Sequence, residues 1–220
     1  MIDITQYSLW QQLIYYYQQN GAYVFDQFTR HFLMAIYGVV FAAILAIPLG
    51  FYLARNIKIA DWILGIANVI QTIPSLALLS LLMLVVGLGS NLVVLTVFIY
   101  SVLPILRNTY AGVRSVDKNI LDVGKGMGMT KWQVIYKIEL PLSMSVIMGG
   151  IRNAFIMAVG VATLGTFVGA SGLGDILQQG VNANEGASII LAGVLPISLM
   201  AIIGDVFLSW LENKLDPTTR

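Results

Sequence analysis

The sequence predicts an all-α, polytopic membrane protein with a core of five transmembrane helices. Three observations carry that expectation. Hydrophobic residues make up 58% of the 220 positions and charged residues only 10%. Soluble domains carry about 25% charged residues, so the bilayer is the solvent that suits this chain. Five apolar windows occur, and none alternates like a barrel strand. The lysines and arginines also fall almost entirely on one side of a five-span arrangement.

The elements follow in chain order. Residues 1–30 read as an external or interfacial segment. The first 29 residues contain no Lys or Arg, and no small-residue cleavage site follows a short apolar core, so the segment does not resemble a signal peptide. The stretch from Tyr7 to Phe28 is rich in Tyr and Gln. It fits either a short interfacial helix, with its aromatic rings at headgroup level, or a polar lead-in without structure. Residues 31–215 form the expected transmembrane domain. Four windows reach the roughly 20 residues a span requires: Phe32 to Ala54, Trp62 to Val86, Leu142 to Val168 and Ala187 to Leu211. A fifth, Leu92 to Leu106, is short and gains length only by running into Arg107-Asn108-Thr109-Tyr110. Residues 216–220 form a cytoplasmic tail.

Charge placement orients the chain. Arg55 and Lys58 lie between spans one and two, and Lys214 and Arg220 follow span five. Arg107, Arg114, Lys118, Lys125, Lys131 and Lys137 lie between spans three and four. These ten share one side, against Arg30 alone on the other, with Arg152 inside span four. The positive-inside rule then predicts an external N-terminus and a cytoplasmic C-terminus.

The loop 117–141 carries clear helix punctuation. Asp117 suits an N-cap for a helix starting at Lys118. Gly128 suits the left-handed position that ends one. Thr130 and Gln133 read as a capping box for a second helix running to Leu140. Pro141 then opens span four, where proline is tolerated. Gly124 and Gly126 each cost about 1 kcal/mol relative to Ala within a helix, which points to a bare face kept for close approach. Ile135 and Ile138 suit packing against the bundle. By pattern alone, an ordinary connecting loop fits equally well.

The loop's spacing resembles a known family. Asp122-Val123-Gly124, then Gly128, then Ile138-Glu139-Leu140-Pro141 is similar to the "EAA" loop of permeases in binding-protein-dependent (type I) ABC importers. Every spacing matches, with Asp for Glu and Val-Gly for Ala-Ala. Further runs look like the osmoprotectant branch, which imports glycine betaine, carnitine and choline. These are Gln71-Thr72-Ile73-Pro74-Ser75-Leu76-Ala77, the stretch Tyr100 to Tyr110, Gly126-Met127-Gly128-Met129-Thr130 and Gly172-Leu173-Gly174-Asp175. The resemblance covers roughly Phe32 to Leu215. It implies a bacterial cytoplasmic membrane, a dimer of permease subunits (identical or paralogous), a pair of ABC ATPase subunits and an extracytoplasmic substrate-binding protein. The loop then docks on the ATPase through Asp122, Gly124, Gly126, Met127, Gly128, Met129, Thr130 and Lys131. ATP and Mg belong to that partner, so this chain is expected to hold no cofactor and to be no enzyme by itself. An aromatic cage for a quaternary ammonium is expected mainly on the binding protein.

Other chemistries find little support. There are no cysteines and one histidine, His31, so neither thiolate nor multi-histidine metal sites are expected. Net charge is +1, which offers no general basic field for nucleic acid; membrane lipid is the expected surrounding. Gly124-Lys125-Gly126 lacks the Gly-Lys-Ser/Thr of a phosphate loop, and the glycines of 169–174 stand in the wrong order for a dinucleotide site. His31, beside Arg30, is expected at the outer membrane edge.

Three polar groupings remain. Arg152 lies about 15 Å into span four from Pro141, and Asp205 about 9 Å from the cytoplasmic end of span five. An intramembrane charge is expensive unless paired. Arg152, Asn153 and Asp205 are therefore expected to share a polar cluster, either as a bridge between spans or as a substrate contact. Asn68, Gln71, Thr72, Pro74 and Ser75, with Tyr100 and Ser101 in span three, fit either a translocation path or plain helix–helix hydrogen bonding. The outward stretch Gly169 to Gly186 fits a contact with the binding protein, part of an outer gate, or a passive linker. The rival functions are an ion-gradient-driven secondary transporter, a permease for a different small solute, and a membrane-embedded enzyme. The first needs inverted repeats and a midplane acid, and neither is evident. The last needs a catalytic group, and none stands out.

Overall fold

The structure is a computed structural model and describes residues 8–183 and 186–215. Among these the chain is helical throughout: α1 Leu9–Arg55, α2 Ile57–Thr72, α3 Ser75–Val86, α4 Ser90–Ser115, α5 Lys118–Gly126, α6 Lys131–Val134, α7 Leu140–Thr163, α8 Leu173–Asn182 and α9 Ala187–Leu215. A π-helical turn, Ile135–Glu139, joins α6 to α7, and a 3₁₀ turn, Leu164–Val168, follows α7. Four helical runs are long and apolar enough to cross a membrane, and α2 with α3, bent by 99° at their break, brings the number to five if that pair is one span. The all-α expectation with several membrane spans therefore holds.

The described part of the N-terminal segment is helical. α1 runs from Leu9 to Arg55 with a kink at Asn20 (φ −119°, ψ 15°), where two helical stretches meet. Tyr and Gln side chains are compatible with a helix, so the polar residues on either side of the kink remain helical. Tyr7 and the tail 216–220 lie outside the described residues.

The break in span two sits at Ile73 and Pro74, both extended (ψ 126° and 137°). Proline excludes its predecessor from the α region, so α2 ends there. Pro48, Pro104 and Pro196 instead lie inside α1, α4 and α9. The short span three is lengthened as the sequence allowed, since α4 includes Arg107 to Tyr110 and continues to Ser115.

The second loop helix does not end at Leu140. It continues through the π turn into α7, with the Leu140 N–H donating to the Ile135 carbonyl, five residues back. Pro141 supplies no N–H and its ring crowds the preceding turn. Widening that turn to a π turn accommodates the ring without stopping the helix. The stretch 169–186 also differs from a plain loop, because it contains α8. Leu173, Ile176 and Gly180 are buried along one face of it, an i, i+3, i+7 stripe hidden among Gly, Asn and Gln. Asn184 and Glu185 lie outside the described residues.

Two compact units can be distinguished. One comprises residues 8–38, 74–97 and 157–203. Within it the Gly89 N–H donates to the Val168 carbonyl (2.9 Å) and the Tyr17 hydroxyl to the Ala192 carbonyl (3.1 Å). His31 belongs to its interior. It is fully buried, with Nε2 3.0 Å from the Val159 carbonyl.

The other unit comprises residues 39–73, 98–156 and 204–215 and contains the loop. Its core is Phe51, Val113 and Ile147, with Ile47, Ala54, Ile135, Leu140 and Ile151 packed around it. Membrane helices associate by close packing of small residues rather than by expulsion of water. Gly150 illustrates this: a Cβ there would lie 2.7 Å from the Asn108 Cβ and 2.9 Å from the Pro104 carbonyl, so α7 approaches α4 at a distance only glycine permits.

Candidate functional site

The loop is built as a capped helical hairpin. The Asp117 carboxylate accepts from the Asn119 N–H (2.8 Å) and starts α5. Gly128, at φ +78°, ends it in a Schellman motif: its N–H donates to the Lys125 carbonyl (2.9 Å) and the Met129 N–H to the Gly124 carbonyl (3.2 Å). Both halves of the Thr130–Gln133 capping box form, at 3.3 and 2.8 Å. Gly124 is buried, and a Cβ there would meet Ile138 Cδ1 at 2.6 Å. The bare face at Gly124 thus receives the second arm of its own hairpin. Gly126 has open space around it. Asp122 pairs with Lys125 (3.0 Å) on the exposed side of α5, a surface pair that contributes little stability.

Both arms of the hairpin carry exposed apolar side chains. Val123, Met127, Trp132 and Tyr136 are all more than 60% exposed, and Ile120 is exposed beside them. Trp132 and Tyr136 stack, with centroids 6.2 Å apart. Met129 is half-buried, and Thr130 and Lys131 are exposed. The expected docking list includes Met127 but not Ile120, Val123, Trp132 or Tyr136, whose side chains are likewise exposed. The i, i+3, i+7 spacing of Ile120, Val123 and Met127 is the signal that could have found the first two.

The inner face is anchored. The Arg55 guanidinium, at the end of α1, donates to the carboxylate of Glu139 in the π turn. Glu139 is buried. Arg55 also donates to the Phe51 carbonyl (2.6 Å), and Ser143 Oγ to the Glu139 carbonyl (2.6 Å).

The polar residues of span two are tied to α4. Gln71 Nε2 donates to the Tyr100 carbonyl (3.1 Å). That carbonyl has no intrahelical donor, because the residue four positions on is Pro104. In return the Tyr100 hydroxyl donates to the Ile73 carbonyl, at the break before Pro74. Asn68 Oδ1 accepts from Arg107 Nη2 (3.0 Å). Thr72 Oγ1 donates within its own helix to Val69 (2.7 Å). Pro74 caps α3 and Ser75 begins it. Ser101 is buried, and its Oγ has no hydrogen-bond partner.

Arg152 and Asp205 come together as expected. Arg152 Nε and Nη2 each lie 2.9 Å from Asp205 Oδ1. Nη1 reaches Glu212 Oε2 (3.1 Å), and Ser145 Oγ donates to Glu212 Oε1 (2.8 Å). Asn153 is not part of this cluster. It is exposed, because the next residue on an α-helix points about 100° away. Ser145 and Arg152 are seven residues apart on α7, as are Asp205 and Glu212 on α9, so each pair shares a helix face. The result is a two-rung ladder between the helices. Glu212 went unpredicted because it lies beyond the apolar window.

Residues 46–219 match the family described as "Binding-protein-dependent transport system inner membrane component". The chain belongs to that family. As such a permease it is 62% identical over 206 residues to the carnitine transport permease protein OpuCD of Listeria monocytogenes, covering 94% of this chain and 92% of that one. It is 56% identical to the glycine betaine/carnitine/choline transport system permease protein OpuCD of Bacillus subtilis, covering 96% and 92%. Its fold matches a permease chain of the inward-facing MetNI methionine ABC transporter with a TM-score of 0.79. That match covers 87% of this chain and 95% of the other, at 18% identity. The permease is therefore a multi-pass membrane subunit of an ABC importer, and a secondary transporter or an embedded enzyme is not favoured.

Proposed function

We propose that this permease carries quaternary ammonium osmoprotectants of the carnitine, glycine betaine and choline class into the cell, driven by a separate ATPase. The observation that carries the substrate class is the 62% identity, over nearly the whole chain, to a carnitine transport permease. The exposed apolar side chains of α5, Ile120, Val123 and Met127, support ATPase docking through that helix. Gly126, Met127, Gly128 and Met129 lie at the hairpin turn, with Asp122, Thr130 and Lys131 at the rim. ATP and Mg bind the partner, and this chain holds no cofactor. The placement of Lys and Arg supports an external N-terminus and a hairpin in the cytoplasm. The remaining partners are a second permease chain and an extracytoplasmic binding protein.

For the path, the polar edge of α2 and α4 is our choice: Asn68 with Arg107, Gln71 with Tyr100, and Thr72 and Ser101 on the same two helices. Irregular backbone at membrane depth is tolerated where it lines a cavity or is buried in protein.

The test is uptake by proteoliposomes containing this permease, its partner permease and the ATPase, with the binding protein supplied outside. ATP inside the vesicles is expected to drive accumulation of labelled carnitine, glycine betaine or choline. Accumulation of none of the three, with a binding protein that binds one of them, would overturn the assignment.

A further inference from the structure

We propose that Arg55 and Glu139 form a strut that carries movement of the hairpin into α1 as well as into α7. The inference rests on the proposed coupling to an ATPase and names the residues that transmit it.

The hairpin has one covalent route into the membrane on its second side, through the π turn into α7. α1 is far away in sequence, yet two sets of contacts bind it to that turn. Arg55 Nη1 and Nη2 hold the Phe51 carbonyl and the Glu139 carboxylate together. Ile135 and Leu140, on either side of Glu139, pack on Phe51, Val113 and Ile147. Within the turn itself, Ser143 Oγ donates to the Glu139 carbonyl. The apolar packing is nonetheless incomplete, because Phe51, Tyr52, Arg55, Trp132 and Tyr136 also line a cavity of about 380 Å³. On that side the ion pair is the directional link between the helices.

The chemistry of the pair suits a strut. The Glu139 side chain is only 9% exposed, so moving it away from Arg55 leaves a buried carboxylate unpaired, a strongly unfavourable state. The guanidinium fork fixes direction as well as distance. Glu139 lies in the π turn, whose widened geometry is set by Pro141, so rotation of α6 is passed on at the position the pair holds. α1 and α6 therefore move together, and a hairpin displaced by its ATPase pulls α1 along with α4 and α7, the two spans to which it is joined in sequence.

The test uses the reconstituted complex with its ATPase and binding protein, measuring solute transported per ATP hydrolysed alongside the amount of assembled complex. Glu139→Gln and Arg55→Gln are expected to keep ATPase activity and assembly while the transported-to-hydrolysed ratio falls roughly fivefold or more. The exchange R55E/E139R is expected to recover much of that ratio. Glu139 is the buried partner, and E139Q leaves no buried charge unpaired, so E139Q carries the test if R55Q does not assemble. An unchanged ratio in E139Q, or a fall in transport matched by loss of assembled complex, overturns the strut and leaves the importer assignment standing. Absence of ATP-driven uptake in the wild-type complex overturns the assignment and the strut with it.

Discussion

Gln71 donates its side-chain N–H to the one Tyr100 carbonyl that Pro104 leaves without a helical donor. Tyr100 in turn donates its hydroxyl to Ile73, where Pro74 ends α2. Two proline defects in neighbouring helices thus repair each other. The relationship gives a double-mutant cycle. Gln71→Leu leaves the Tyr100 carbonyl unpaired and is expected to cost about 1 kcal/mol. In a Pro104→Ala background a backbone N–H becomes available to that carbonyl, and the same change is expected to cost much less. Thermal unfolding of the four purified variants checks this, and equal costs in both backgrounds would refute the repair.

The ladder of Arg152, Asp205, Glu212 and Ser145 places two acids on one guanidinium. Removing the cation alone leaves two carboxylates on one face of α9. Arg152→Gln is therefore expected to reduce membrane yield and to lower the melting midpoint by several degrees. The triple change R152Q/D205N/E212Q removes all the charges together and is expected to regain most of the loss, because a fully neutral set avoids an unpaired charge. A triple variant less stable than R152Q would show that the ladder contributes more than mutual neutralisation.

Much of this was legible in the sequence, and for identifiable reasons. The five spans follow from composition, and the caps at Asp117, Gly128 and Thr130 from local backbone chemistry, which needs no knowledge of distant residues. Arg152 and Asp205 were paired because an unpaired charge at that depth is prohibitive. The missed features depend on distant partners. The burial of His31 against the Val159 carbonyl, the Arg55–Glu139 pair and the replacement of Asn153 by Glu212 are contacts between residues far apart in sequence. α8 was hidden because its apolar stripe is sparse. The continuity of α6 into α7 was hidden because Pro141 reads locally as a boundary.

The two glycines of α5 separate folding from docking. Gly124→Val drives a branched side chain into Ile138 and is expected to loosen the hairpin, seen as faster proteolysis between Lys118 and Lys137. Gly126→Val has open space around it and is expected to leave the hairpin intact. Because Gly126 lies beside Met127, its bulk is expected to reduce recovery of the ATPase with the tagged permease. Equal proteolysis of both variants would contradict the internal packing at Gly124.

The chain has no cysteine, so single cysteines report the orientation directly. Ser8 and Lys214 are exposed and lie near opposite ends of the described helices, and Lys125 is exposed on the hairpin. With ten Lys and Arg on one side against one on the other, a membrane-impermeant maleimide added to intact cells is expected to label Ser8→Cys. It is expected to label Lys125→Cys and Lys214→Cys only after the membrane is opened. The Lys125→Cys result decides most, because the proposed ATPase docking requires the hairpin to face the cytoplasm. Labelling of that cysteine in intact cells would place the exposed Val123 and Met127 of α5 outside, where no ATPase could reach them.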